Sequence, residues 1–151
     1  MKKNLTNHVL KYVGLITGGL VIYFLTMVAL GLEHNFGLRT LNAVILASGV
    51  FLAIREFKQN TFDTRFSFLS GMGVGFMISL MSAIAFAAFI GLYLVMHPAF
   101  LAEIQATEPQ GQYMNEVGLS LLIFIEALAS GILFSYGSMQ YLKNQREWST
   151  S

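Results

Sequence analysis

Residues 68–96 read FLSGMGVGFMISLMSAIAFAAFIGLYLVM, a run with no charged side chain. In and just before it, Ser67, Gly71, Gly75, Ser79, Ala83, Ala87 and Gly91 put a small residue at every fourth position. At about 1.5 Å of rise per residue the run exceeds the roughly 30 Å hydrocarbon core of a bilayer, so it reads as a membrane-spanning helix. Small residues four apart let a second helix come close, and van der Waals contact is a main attraction between helices in lipid. Each step of four turns about 400°, so the row drifts about 40° per step and roughly 240° over its whole length. A straight neighbour cannot follow that drift. The expectation is that residues 71–79 meet one helix and residues 83–91 another.

The rest of the chain fits around this segment. Of its 151 residues 55% are hydrophobic and 11% charged, against roughly 25% charged in an ordinary soluble domain. Residues 12–32 form an uncharged run long enough to span, preceded by Lys2, Lys3 and Lys11. A basic leader before an apolar run also describes a secretory signal, and Ala29-Leu30-Gly31 has a small-x-small pattern. A signal's apolar region is about 7–15 residues, however, and this one is longer, so a retained helix is expected. A polar turn at residues 33–37 leads to a second span at 38–57. Its short apolar centre is extended by snorkelling of Arg39 and Arg55, and Asp63 or Thr64 is positioned to cap the next helix. The third span covers 66–96 and stops at His97-Pro98, where proline cannot continue helical hydrogen bonding. Residues 98–106 (PAFLAEIQA) place Phe100, Leu101 and Ile104 on one face, as in a short interfacial helix. A fourth span at 115–142 precedes a short polar tail.

The fold class expected is therefore all-α, an integral membrane four-helix bundle in one domain. Charge gives its orientation. With four spans, Lys2, Lys3, Lys11, Arg55, Lys58, Arg65, Lys143 and Arg146 share one side and Arg39 stands alone on the other. By the positive-inside rule both termini are cytoplasmic.

Ile54-Arg55-Glu56-Phe57-Lys58, then Phe66-Ser67-Phe68 entering a glycine-bearing helix, then the exit Tyr93…His97-Pro98-Ala99-Phe100 form a pattern over about residues 10–142. In this the chain resembles a family of small bacterial four-helix inner-membrane proteins known as a domain of unknown function. The resemblance implies a bacterial inner-membrane location and leaves the activity open. The family has no established catalytic or binding residues to transfer.

Few residues invite chemistry. Gly71-Met72-Gly73-Val74-Gly75 looks like a phosphate-binding loop, but such a loop joins a strand to a helix in a soluble βαβ unit. Here it lies inside an apolar span and reads as packing surface. Shorter small-residue sets at Gly14/Gly18, Ala43/Ala47 and Ala127/Gly131/Ser135 offer close-approach surfaces on the other spans.

Glu126 lies about 14 Å inside the fourth span by helix rise. A charge at that depth costs about 2.5–3.5 kcal/mol or more, so the side chain is expected to face protein or water. Depth matching makes Tyr23, Ser48 and Ser130 its candidate partners, with Ser82 somewhat deeper. Three readings follow: a proton or cation site, a carboxyl holding helices in register through Tyr23 or Ser48, or half of a pair with a basic group on another subunit.

His34 and His97 share the outer side, but two histidines without ligand spacing do not make a metal site. The chain has no cysteine, no nucleophile–base constellation and no basic cluster for nucleic acid. A non-enzymatic scaffold or accessory subunit is expected, without cofactor or metal. Its expected partners are the lipid bilayer and its own copies or a larger membrane complex. The alternative is a small proton- or cation-coupled carrier or channel component using Glu126.

Overall fold

A computed structural model describes residues 2–32, 36–60, 67–107, 109 and 111–148. Its elements are α1 (Lys2–Ala29), α2 (Phe36–Asn60), α3 (Phe68–Met96), α4 (Pro98–Thr107), a 3-10 turn (Gly111–Tyr113) and α5 (Glu116–Trp148). The described residues contain no strand, and α1, α2, α3 and α5 each hold a segment long and apolar enough to cross a membrane. The expected all-α, four-helix architecture is the one found. Four such helices point to a multi-pass membrane protein, since a helix satisfies its backbone polar groups within its own segment.

The helix ends follow local chemistry. Gly31, inside the small-x-small pattern, has φ +65° just past the end of α1. Its N–H donates to the Val28 carbonyl and that of Leu32 to the Met27 carbonyl, at 3.1 and 3.0 Å. That crossed pair is a Schellman cap, which favours glycine because a Cβ is crowded at positive φ. At the start of α3 the Ser67 side chain accepts from the Ser70 N–H while the Ser70 hydroxyl accepts from the Ser67 N–H. Ser67, not Asp63 or Thr64, is therefore the cap, and those two residues lie outside the described ones. The leader and tail also differ from expectation. Residues 2–11 continue α1 and residues 143–148 continue α5. Neither segment contains glycine or proline, so nothing in them breaks a helix that the apolar span has already nucleated.

The centre of the bundle is α3, which packs against α1, α2, α4 and α5. Its buried residues form two adjacent rows of step four, one through Gly71, Gly75, Ser79, Ala83 and Ala87 and one through Val74, Ile78, Ser82, Phe86, Ile90 and Leu94. The antiparallel α5 lies along this band. A Cβ built on Gly75 would sit 2.5 Å from the Ser135 Oγ, and one built on Gly131 would sit 2.3 Å from the Ser79 Cβ. Each glycine thus receives the other helix's serine. Both serines are fully buried, and each hydroxyl donates to the carbonyl four residues back, Ser79 to Gly75 at 2.8 Å and Ser135 to Gly131 at 2.7 Å. Neither of these two hydroxyls is left unpaired, which avoids the cost of burying one bare, whereas the Ser82 Oγ in the adjacent row is buried without a partner among the described residues.

Near the other end of α3 a Cβ on Gly91 would lie 2.7 Å from the Ser120 Oγ. The expected exchange of neighbours between residues 71–79 and 83–91 is therefore not what forms. Each residue gained along α3 is matched by about one lost along α5, so a single antiparallel partner meets both ends of the row. What changes along α3 is its other flank. Ile54 of α2 adjoins Gly75, whereas Phe24 of α1 packs on Phe89 and Tyr93.

The contrast among glycines gives a direct test. A Cβ at Gly137 would meet nothing within 4 Å, so Gly137→Ala should leave thermal stability in detergent unchanged or slightly higher. Gly131→Ala should lower stability by about 1–3 kcal/mol, because the Ser79 Cβ cannot swing away without moving α3. Equal melting temperatures for the two variants would contradict the seam.

Candidate functional site: a half-open interhelical cavity

The end of the bundle that carries the N-terminus of α1 and the C-termini of α2 and α5 is closed by polar links. Lys11 Nζ lies 3.1 Å from the Glu56 carboxylate, the Tyr12 hydroxyl donates to the same carboxylate, and His8 Nε2 bonds the Ala53 carbonyl at 2.9 Å. Lys58 Nζ donates to the Leu142 carbonyl at 3.0 Å, tying α2 to α5, and the Phe51 and Tyr141 rings pack 5.8 Å apart. Sequence reasoning placed these cations only by side of the membrane. Matching opposite charges at the ends of antiparallel neighbours, Lys11 against Glu56, was the available signal.

The other end is built from rings. Phe24 meets Tyr93 edge-on at 5.1 Å, Tyr93 meets Phe100 edge-on at 5.6 Å, and Tyr93 stacks on His97 at 4.3 Å. His97 Nδ1 bonds the Tyr93 carbonyl at 3.1 Å, so this histidine finishes α3. His34 lies outside the described residues, as do Glu33 and Glu108. Pro98 then turns the chain into α4, whose expected apolar face is present with Leu101 buried and Phe100 and Ile104 partly buried. That face is turned onto the bundle. The α4–α5 connection folds back on it through Gly111, where a Cβ would lie 2.7 Å from the Gln105 Cα, and Gln105 Nε2 donates to the Met114 carbonyl at 2.7 Å.

Between the two ends α2 and α5 both line a half-open cavity of about 590 Å³, to which α1, α3 and α4 also contribute. Its walls include Leu46, Phe86, Ile90 and Phe100. Its polar groups include Glu126 and Ser130 from α5, Asn42 from α2 and Tyr23 from α1. The volume lies within the range of small-molecule sites, and few polar groups among apolar walls is their usual make-up. The Asn42 Oδ1 is buried with no hydrogen-bond partner. Glu126 is exposed to the cavity and makes no hydrogen bond or ion pair among the described residues.

The structure thus brings together Glu126, Tyr23 and Ser130 but not as a bonded set. The Tyr23 hydroxyl donates instead to the Leu38 carbonyl at 2.7 Å, near the start of α2, where the first turns of a helix and the end of the preceding one come together. Ser48 is exposed on α2 and does not line the cavity. Neither holds Glu126. Asn42 was missed, and its signal was an amide placed one residue inside the apolar centre of the second span. Of the seven-residue row, Ser67 is an exposed helix cap, Gly71, Gly75, Ser79, Ala83 and Ala87 are buried, and Gly91 faces Ser120. Gly14 and Gly18 differ from expectation, since a Cβ on either would meet nothing within 4 Å. On α2 the close approach is made by Gly49, where a Cβ would lie 2.3 Å from the Ile16 Cγ1.

The profile of the family described as Protein of unknown function (DUF4199) matches residues 12–144. The chain belongs to that family. The match covers α2, α3, α4, most of α1 and α5, and the residues that line the cavity. No curated protein and no solved structure matches the chain.

Because α4 is held down at Gly111, Gly111→Ala should loosen it. In a chain without native cysteine, maleimide labelling of an Ile104→Cys reporter should become several-fold faster in the Gly111→Ala background. An unchanged rate would show that the close approach at Gly111 does not hold α4.

Proposed function

We propose that this DUF4199 protein is a non-enzymatic polytopic membrane protein that serves as a scaffold or accessory subunit, binding its own copies or a larger membrane complex through helix surfaces. One observation carries the reading. Gly14 and Gly18 lie four apart on α1 and have open space where a Cβ would be, although small residues at this spacing are what close helix pairs use. The chain's own seams are made elsewhere, at Gly49, Gly75 and Gly131. A small-residue face therefore remains for another helix. The charge asymmetry supports an orientation with both termini in the cytoplasm, which reporter fusions at each terminus check, and the family resemblance supports a bacterial inner-membrane location.

In gentle detergent the wild-type protein should elute as an oligomer or with a co-purifying membrane partner. The double variant Gly14→Leu/Gly18→Leu should elute as a monomer with an unchanged melting temperature, since those positions touch nothing in the chain itself. A monodisperse wild-type monomer without a partner would overturn the proposal.

A second reading has its own observation in favour. Glu126 lines an open cavity without a hydrogen-bond or ion-pair partner among the described residues, as a titrating or cation-carrying group in a small carrier would. Wild type and Glu126→Gln reconstituted in vesicles test it: proton or cation flux lost in the variant supports a carrier, and no flux in either removes it.

A further inference from the structure

The cavity offers a guest a specific chemistry. Among the described residues its lining contains one carboxylic acid, Glu126, and no lysine, arginine or histidine. Asn42 lines the same space, although its unpartnered Oδ1 is itself enclosed by protein. Two hydroxyls that could have donated are already committed, that of Tyr23 to the Leu38 carbonyl and that of Thr107 to the Glu103 carbonyl at 2.7 Å. The Ser130 hydroxyl and the Asn42 amide can donate as well as accept, so what selects among guests is the single acid, Glu126, framed by apolar walls.

Phe24, Phe86 and Phe100 also line the space, and aromatic faces attract cations. An unpaired carboxylate inside an apolar span is costly, and a cation bound beside it offsets that cost. An anionic amphiphile would place like charge against Glu126, with no basic group among the described lining residues to receive it. A purely apolar guest would leave the carboxylate unpaired.

We propose that the cavity binds a small amphiphilic organic cation, a protonated amine on an apolar or aromatic body. Its ammonium head bonds Glu126 while the body lies against Phe86, Ile90 and Phe100. The inference goes beyond the assembly reading and requires neither oligomerisation nor transport, because binding is scored per chain at equilibrium.

The test uses the full chain in phosphatidylcholine nanodiscs, with empty discs subtracted, and two probes of matched body, 4-phenylbutylamine and 4-phenylbutyrate. Wild type should bind the amine saturably and the acid not at all. Glu126→Gln, nearly isosteric at an exposed position, should weaken amine binding by roughly tenfold or more, the scale of one charge-assisted hydrogen bond. Leu122→Trp, on an exposed residue at the cavity wall, should weaken it by filling space while leaving the carboxyl in place. Thermal melts report whether each variant is folded. The proposal is overturned if the wild type shows no saturable amine binding, if the acid binds equally, or if both folded variants bind the amine as wild type does.

Discussion

The reciprocal fit of Gly75 against Ser135 and Gly131 against Ser79 is the contact on which the bundle depends. In lipid the hydrophobic effect does not drive helices together, so close approach and dispersion must do more of the work. Glycine provides the approach, and each serine fills the space that the facing glycine leaves. Because both hydroxyls turn back to their own helix carbonyls, the reciprocal fit is close and neither serine is left unpaired. This contact fixes α3 against α5, and with α3 at the centre the places of the other helices follow.

A bundle pinned in this way can be closed at one end and open further along. The polar links Lys11–Glu56 and Lys58–Leu142 join α2 to α1 and to α5 where the termini gather. The ring cluster around Tyr93 joins α1, α3 and α4 at the opposite end. Between these two fastenings α2 and α5 both border the cavity, and α4 covers part of it. The exit motif Tyr93…His97-Pro98-Ala99-Phe100 thus has a physical meaning. Tyr93 organises the rings, His97 ends the helix, and Pro98 turns the chain so that Phe100 returns onto the bundle.

Glu126 and the small-residue rows illustrate how far spacing alone can be pressed. Depth matching put Tyr23 at the right level for Glu126, and both line one cavity, but depth does not give the direction in which a hydroxyl points. Spacing four marked Gly14/Gly18 and Gly131/Ser135 alike. One pair faces open space and the other is locked into α3, because which side of a helix meets a neighbour depends on how all the helices are arranged. The drift argument for residues 67–91 assumed a straight partner, yet α5 meets the row both at Gly75 and at Gly91.

The sequence by itself determined the four long helices, the short α4 with its apolar face, and the isolation of one acid inside the last span. These are local properties: uninterrupted apolar length, a proline and glycine pattern, and the absence of any cation at the depth of Glu126. Only the tertiary structure decided that one helix meets both ends of the small-residue row, that Asn42 shares a cavity with Glu126, and that Gly14 and Gly18 are left uncovered. Those outcomes depend on crossing angles and on the rotation of each helix about its axis. Neither quantity is encoded in any single stretch of residues; both are set by how the faces of all the helices fit at once.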